Sequence, residues 1–261
     1  MVAIVHAFDK MQAWRERRRL AGRMLVAVDF DGTLSPIVER PEDAAIVPAA
    51  RAALSDLAAR GDTVVAVVSG RSLADVRARV GLAGVFYAGN HGLEIEGPGL
   101  ERVHPAAASA RPHLAAAGRR LASELAAWPG VQVEDKGLTL SVHYRRADAG
   151  VGERVVAAAR RVCDAASLRL TEGKKVVELR PAVDWDKGRA TVFLLEVVAP
   201  GGAPVLFIGD DRTDEDAFRA LGQGGAGVLV SAAPPPDTAA TAFVRSPAEV
   251  AALLRELARG D

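Results

Sequence analysis

From residue 24 onward, short apolar runs rich in Val and Ala alternate with longer runs of helical spacing, and the apolar runs close on polar clusters. Residues 25–28 read as a strand, 48–60 as a helix, and 63–68 as a second buried strand closing on Ser69-Gly70-Arg71. Residues 73–80 return to helical spacing, and 85–88 form a short strand leading into Gly89-Asn90-His91-Gly92. This rhythm predicts an α/β fold with a doubly wound parallel sheet and helices on both faces. Such sheets bind ligands beyond the carboxyl ends of their strands, where these polar clusters fall.

The first of those ends is the most informative. The run Leu25-Val26-Ala27-Val28 is followed by Asp29-Phe30-Asp31-Gly32-Thr33. Strand alternation points residues i and i+2 to the same side, so Asp29 and Asp31 are expected to address one small volume. Two unpaired carboxylates there would be costly, which implies a counter-charge, most simply a divalent cation. An aspartic protease would need Asp-Thr-Gly, and an EF-hand loop would place its Gly sixth rather than fourth. A strand end with a chance acidic turn remains as the plain structural alternative.

The rhythm changes in the middle of the chain. Residues 106–127 read as an Ala-rich helix, and 131–134 with 138–144 as a hairpin turning at Asp135-Lys136-Gly137. Residues 152–165 read as a second helix, then 168–171 and 176–179 as strands turning at Glu172-Gly173-Lys174. The order αββαββ predicts a small antiparallel sheet backed by two helices, an α+β insertion bounded near Pro105 and Pro181. The first rhythm then resumes: helix 187–198, strand 205–208, an acidic loop over 209–216, strand 227–230, a proline-rich surface loop and a closing helix over 247–259. The expected organisation is a core of residues 1–105 and 182–261 carrying an inserted domain, 106–181.

Lys plus Arg and Asp plus Glu both number 33, so no basic excess points to nucleic acid. No apolar run approaches a membrane span, and the basic residues near the N-terminus follow the apolar start, unlike a signal peptide. The lone Cys163 fits a reducing, cytoplasmic compartment and reads as a small core residue. The basic run Arg15-Glu16-Arg17-Arg18-Arg19 reads as a solvated helix face.

Four motifs in order, Asp29-x-Asp31-Gly32-Thr33, Ser69-Gly70, Asp186-Lys187-Gly188 and Gly209-Asp210-Asp211-Arg212-Thr213-Asp214, resemble those of the haloacid dehalogenase (HAD) superfamily, mostly phosphate-ester hydrolases. The resemblance implies that Asp29 is the nucleophile forming an aspartyl-phosphate and Asp31 the acid and base. Thr33, Ser69 and Gly70 would bind the phosphate, and Lys187 would balance its charge. Asp29, the backbone carbonyl of Asp31, and Asp210 would hold the metal. Asp211 and Asp214 would stand behind it and orient its waters, with Asp211 also open to direct ligation. An all-oxygen, water-rich site suits Mg²⁺. One like-charge pair at about 4 Å costs about 4 kcal/mol at an effective dielectric of 20, so several carboxylates meeting a phosphate dianion call for a divalent metal.

Within the superfamily the chain is most similar to trehalose-6-phosphate phosphatases. The similarity rests on Gly89-Asn90-His91-Gly92, Glu134-Asp135-Lys136, Ser141-Val142-His143-Tyr144-Arg145 and Gly173-Lys174-Lys175-Val176-Val177-Glu178. It implies that the insertion is a cap for substrate recognition. Glu134, Lys136, Lys174 and Glu178 would meet sugar hydroxyls from the cap, and Asn90 and His91 from the core. Lys174 is preferred over Lys175 by motif position, and Arg71 either contacts substrate or braces its loop. The implied partner is a small-molecule sugar phosphate, supplied by a separate trehalose-6-phosphate synthase. Alternatives are another capped sugar phosphatase, acting on sucrose or glucosylglycerate phosphates, and a non-catalytic sugar-phosphate sensor.

Overall fold

The computed structural model describes residues 4–173 and 175–259, apart from the side chain of Gln223. In chain order the elements are β1 (Val5–His6), α1 (Met11–Ala21), β2 (Met24–Val28), α2 (Pro48–Ala58), β3 (Thr63–Val68), α3 (Leu73–Val80), β4 (Phe86–Gly89), β5 (Glu94–Gly97) and β6 (Leu100–Val103). There follow α4 (Pro105–Leu125), β7 (Gln132–Asp135), β8 (Leu140–His143), α5 (Val151–Ala166), β9 (Leu168–Gly173) and β10 (Val176–Pro181). The chain closes with α6 (Lys187–Val198), β11 (Val205–Gly209), α7 (Arg212–Ala220), β12 (Gly225–Val230), β13 (Ala242–Val244) and α8 (Pro247–Ala258). The contacts divide it into two units, Met1–Arg102 with Trp185–Asp261, and Val103–Asp184.

The first unit is built on one sheet, ordered β1-β13-β12-β11-β2-β3-β4-β5-β6. Strands β1 to β4 of that order pair in parallel, and β5 is antiparallel to β4. Strands β2, β3 and β11 are buried along their whole length, as a sheet covered on both faces requires. Alternation divides their side chains between two cores. Val26, Val28, Val65, Val67, Leu206 and Ile208 pack with Leu54 and Leu57 of α2 and Leu253 and Leu254 of α8. Leu25, Ala27, Ala66, Val68 and Phe207 pack on the other face with Ala190 and Leu194 of α6 and Ala217 and Phe218 of α7. The chain winds from β2 to β3 and β4 on one side, and β11 to β13 fill the other. The carboxyl ends of β2 and β11 therefore flank the point where strand order reverses, the natural ligand crevice of such a sheet.

The second unit orders its sheet β7-β8-β10-β9, antiparallel throughout. Leu140, Val142, Val177 and Leu179 turn one face into a core with Leu114 and Leu121 of α4 and Val155 and Val162 of α5. Cys163 lies in that core, where burial pushes its thiol up to about 11, an inert thiol.

The structure departs from the sequence reading at particular places. Residues 212–216 of the expected 209–216 loop open α7, whose buried Asp214, Ala217 and Phe218 recur at helical spacing behind its acidic surface. Strand β9 runs through Gly173, so residues 172 and 173 of the expected turn lie in the strand instead. Arg18 is 3% exposed rather than solvated, donating from Nη1 to the Leu257 carbonyl at 2.8 Å. It lies on the same stripe of α1 as the buried Met11 and Trp14. Among the described residues no helix is long and apolar enough to cross a membrane.

Candidate active site

Asp29 follows β2 directly, and its amide bonds to the Ile208 carbonyl at 2.8 Å, tying the ends of β2 and β11 together. The Asp29 side chain is buried and accepts from Lys187 Nζ at 2.8 Å. Lys187 opens α6, where the Asp186 side chain caps the helix by accepting from the Arg189 amide at 2.8 Å. The same ammonium bonds Asp214 Oδ1 at 2.8 Å. Asp214 Oδ2 accepts from the amides of Asp210 and Asp211 at 2.9 and 3.1 Å, closing a capping box at the start of α7. Carboxylate oxygens of Asp29, Asp210 and Asp214 lie within 4.8 Å of one another.

These charges are not balanced by protein groups alone. Burial would strip Lys187 of its proton, but Asp214 and Asp29 outweigh it and hold the ammonium well above its usual range. Burial also raises Asp29 well above the carboxylate range, opposed by Lys187. Asp210 is pushed up to about 7 by burial and by the neighbouring Asp214 and Asp211. Asp211 is lowered, because Lys187 and the Thr213 hydrogen bonds overcome its burial. An all-oxygen cluster short of positive charge fits a hard divalent cation. Both Asp214 oxygens already hold protein donors, so Asp29 and Asp210 are the better placed direct ligands.

Gly32 makes room for this cluster. Its φ is +78°, and a Cβ there would fall 2.1 Å from Asp210 Oδ2. Gly32→Ala is expected to cost about 1–2 kcal/mol for the left-handed backbone alone, with the clash displacing Asp210 as well. The variant should melt lower and bind divalent metal more weakly by calorimetry; unchanged metal affinity would separate Asp210 from the metal.

Asp31 is placed by a turn rather than by strand alternation. The strand ends at Val28, so Asp31 sits in the following turn, and its carboxylate takes a two-pronged bond from Arg71 Nε and Nη2, both at 2.7 Å. Arg71 also bonds Asp75 and the Pro41 carbonyl, so it braces the loop. Thr33 Oγ1 is buried with no hydrogen-bond partner, a donor left over for a ligand oxygen. Ser69 follows β3 directly, and its Oγ accepts from the Arg71 amide at 3.2 Å. Gly70 lies under the His91 ring, where a Cβ would fall 2.8 Å from Cε1.

Asn90 and His91 both take left-handed backbone, φ 48° and 59°, strain of roughly 1–3 kcal/mol each that the surroundings must hold. Their amides donate to the Arg71 and Ser69 carbonyls at 2.7 and 2.8 Å. Glu94, which the sequence reading passed over, accepts from Asn90 Nδ2 at 2.7 Å and from the Leu73 amide at 2.8 Å.

In the second unit Glu134, Ser141 and Glu178 stand opposite one another across β7, β8 and β10, on the sheet face away from its helices. Lys136 Nζ reaches Glu178 Oε1 at 3.3 Å, and His143 Nε2 lies 2.7 Å from Glu134 Oε2. His143 thus pairs with a residue assigned to substrate. Lys174 lies outside the described residues.

A family model described as trehalose-phosphatase matches residues 27–248. The chain belongs to the trehalose-phosphatase family. A trehalose-phosphate phosphatase of Mycobacterium tuberculosis is 45% identical over 258 residues, 96% of this chain and 66% of that protein. The chain thus spans just under two thirds of the length of that curated relative. The structure of the C. albicans trehalose-6-phosphate phosphatase C-terminal domain superposes with a TM-score of 0.78 at 25% identity, covering 98% of each chain. A haloacid dehalogenase-like hydrolase from Bacteroides thetaiotaomicron shares the fold, at TM-score 0.64 and 18% identity over 90% of this chain and 98% of that one. The family's phosphatase members and the HAD-type fold agree with the resemblance read from the motifs.

Proposed function

We propose that the chain is a Mg²⁺-dependent phosphatase converting trehalose 6-phosphate to trehalose and phosphate through an aspartyl-phosphate. The observation that carries the reading is the buried Asp29–Lys187–Asp214 chain beside Asp210, placed where strand order reverses, in a chain of the trehalose-phosphatase family. Lys187 orients Asp29 so that its other oxygen attacks phosphorus. Thr33, Ser69 and Gly70 receive the phosphate oxygens. Asp31 gives a proton to the departing sugar oxygen and later takes one from the attacking water, help worth about 10²–10⁴ in rate. Asp29, the Asp31 carbonyl and Asp210 would hold Mg²⁺, with Asp211 and Asp214 behind them. Bound there, it would supply positive charge against the transferring phosphoryl group. Asn90, His91, Glu134, Lys136, Lys174 and Glu178 recognise sugar hydroxyls, the last four from the Val103–Asp184 unit acting as a cap. A cytoplasmic setting, compatible with the buried Cys163 thiol, and supply by a separate trehalose-6-phosphate synthase complete the reading.

The test is phosphate release with Mg²⁺ from trehalose 6-phosphate beside glucose 6-phosphate, sucrose 6-phosphate and p-nitrophenyl phosphate. Trehalose 6-phosphate should give a kcat/KM at least about 100-fold above the other sugar phosphates, since unpaired polar groups in a mismatched site cost several kcal/mol. EDTA should abolish it. Equal rates on all four would keep a phosphatase and remove the sugar assignment; no release from any would favour a sensor.

A further inference from the structure

Trp185 is the first residue of the returning segment of the first unit and stands two residues before Lys187. Its indole Nε1 donates to the Gly92 carbonyl at 2.8 Å, just beyond the strained Asn90 and His91. Gly92 is itself pressed on α6, where a Cβ would fall 2.1 Å from Ala190 Cβ. The indole does not move freely. The guanidinium of Arg102, the last residue of the outgoing segment, lies 4.4 Å from the Trp185 ring and 4.5 Å from that of Phe193 on α6. Arg102 Nη1 is buried without a hydrogen-bond partner, so the two rings are the contacts that hold this head group.

We propose that Trp185 is a positioning residue for the Asn90–His91 turn, fixing the Gly92 carbonyl through its indole N–H, with Arg102 clamping the indole against Phe193. The turn needs such an anchor. Two successive non-glycine residues in left-handed backbone relax unless they are tied; the Arg71 and Ser69 carbonyls and Glu94 hold Asn90 and His91, and the Leu93 amide on the Asn90 carbonyl at 3.2 Å and the Gly89–Glu94 pairing close the turn around them. Trp185 adds the tie at the Gly92 carbonyl. The same residue leads into α6, so the turn that meets the sugar and the helix that presents Lys187 share one anchor. The clamp also joins the two points where the chain leaves and re-enters the first unit.

The kinetic arm of the test rests on the proposed sugar-phosphate reading; the exchange arm does not. Trp185→Phe keeps an aromatic ring for Arg102 and removes the indole N–H together with part of the ring. Amide hydrogen exchange across 89–93 should speed up about tenfold, the loss of one buried hydrogen bond, while β2 and β11 exchange as in the parent. KM for trehalose 6-phosphate should rise about tenfold with kcat within about twofold, and p-nitrophenyl phosphate, which has no sugar, should be turned over unchanged. Arg102→Met should show a weaker version of both effects and Arg102→Lys less still. Unchanged exchange at 89–93 overturns the proposal, as does a matched fall of kcat on both substrates, which would mark Trp185 as a general prop of the core. If the parent protein releases no phosphate from trehalose 6-phosphate, the functional reading fails and the exchange result alone decides the role of Trp185.

Discussion

Asp29→Asn is expected to lower turnover of trehalose 6-phosphate by at least about 10⁴-fold, the scale on which removing a covalent nucleophile acts. A carboxamide does not form the acyl-phosphate, so no other feature of the site rescues the first step. The substitution is nearly isosteric, and Lys187 keeps its bond to Asp214 at 2.8 Å, so the fold should survive. Binding should survive as well. One negative charge leaves a crowded cluster, and each like-charge pair at about 4 Å is worth about 4 kcal/mol at an effective dielectric of 20. With Mg²⁺ in excess, to offset the altered ligand, calorimetric affinity for trehalose 6-phosphate should hold or tighten. Turnover persisting at one per cent in Asp29→Asn would transfer the nucleophile to another residue. Asp31→Asn provides the contrast: losing the acid and base should leave slow hydrolysis of p-nitrophenyl phosphate, whose leaving group needs no proton.

The strands that seat Asp29, Ser69 and Asp210 were legible because burial on both faces leaves an unbroken apolar run, visible without any partner. The short outer strands β1, β5, β6 and β13 were not, being two to four residues long, with β1, β5 and β6 mostly half-exposed. Helix α7 escaped because its acids look like a solvated loop. Asp214 is buried nonetheless, since its charge is met by Lys187, 27 residues earlier, and by two backbone amides. Asp31 shows the same limit. Alternation along a strand is local, whereas its pairing with Arg71, forty residues later, is settled by tertiary structure. The sequence thus reveals which residue types converge, while the partner each one takes is non-local. Trp185 was within reach as an aromatic residue beside the lysine motif, but its tie to Gly92 spans 93 positions.

The Lys187–Asp214 pair offers the second large effect. Both side chains are essentially buried, so removing one leaves the other's charge buried and poorly compensated, Asp214 with two backbone amides or Lys187 with Asp29 alone. Lys187→Met is expected to destabilise the protein by about 3–5 kcal/mol, the usual cost of breaking a buried ion pair from one side. At roughly 2–4 °C per kcal/mol for a chain of this size, the melting temperature should fall by about 10 °C. Asp214→Asn should cost a comparable amount, since it leaves the ammonium with Asp29 alone while its amide can still accept from Asp210 and Asp211. The double variant is the informative one. Removing both charges removes the stranded partner, so its loss should be smaller than the sum of the single losses by about 1–3 kcal/mol. Its turnover should stay as low as that of Lys187→Met, because Asp29 is no longer oriented and the phosphoryl charge is no longer balanced. Denaturant melts of the four proteins read the stability cycle, and phosphate release reads the activity. Additive stability losses would mean that Lys187 and Asp214 act independently, and near-normal turnover in Lys187→Met would take the lysine out of the chemistry altogether.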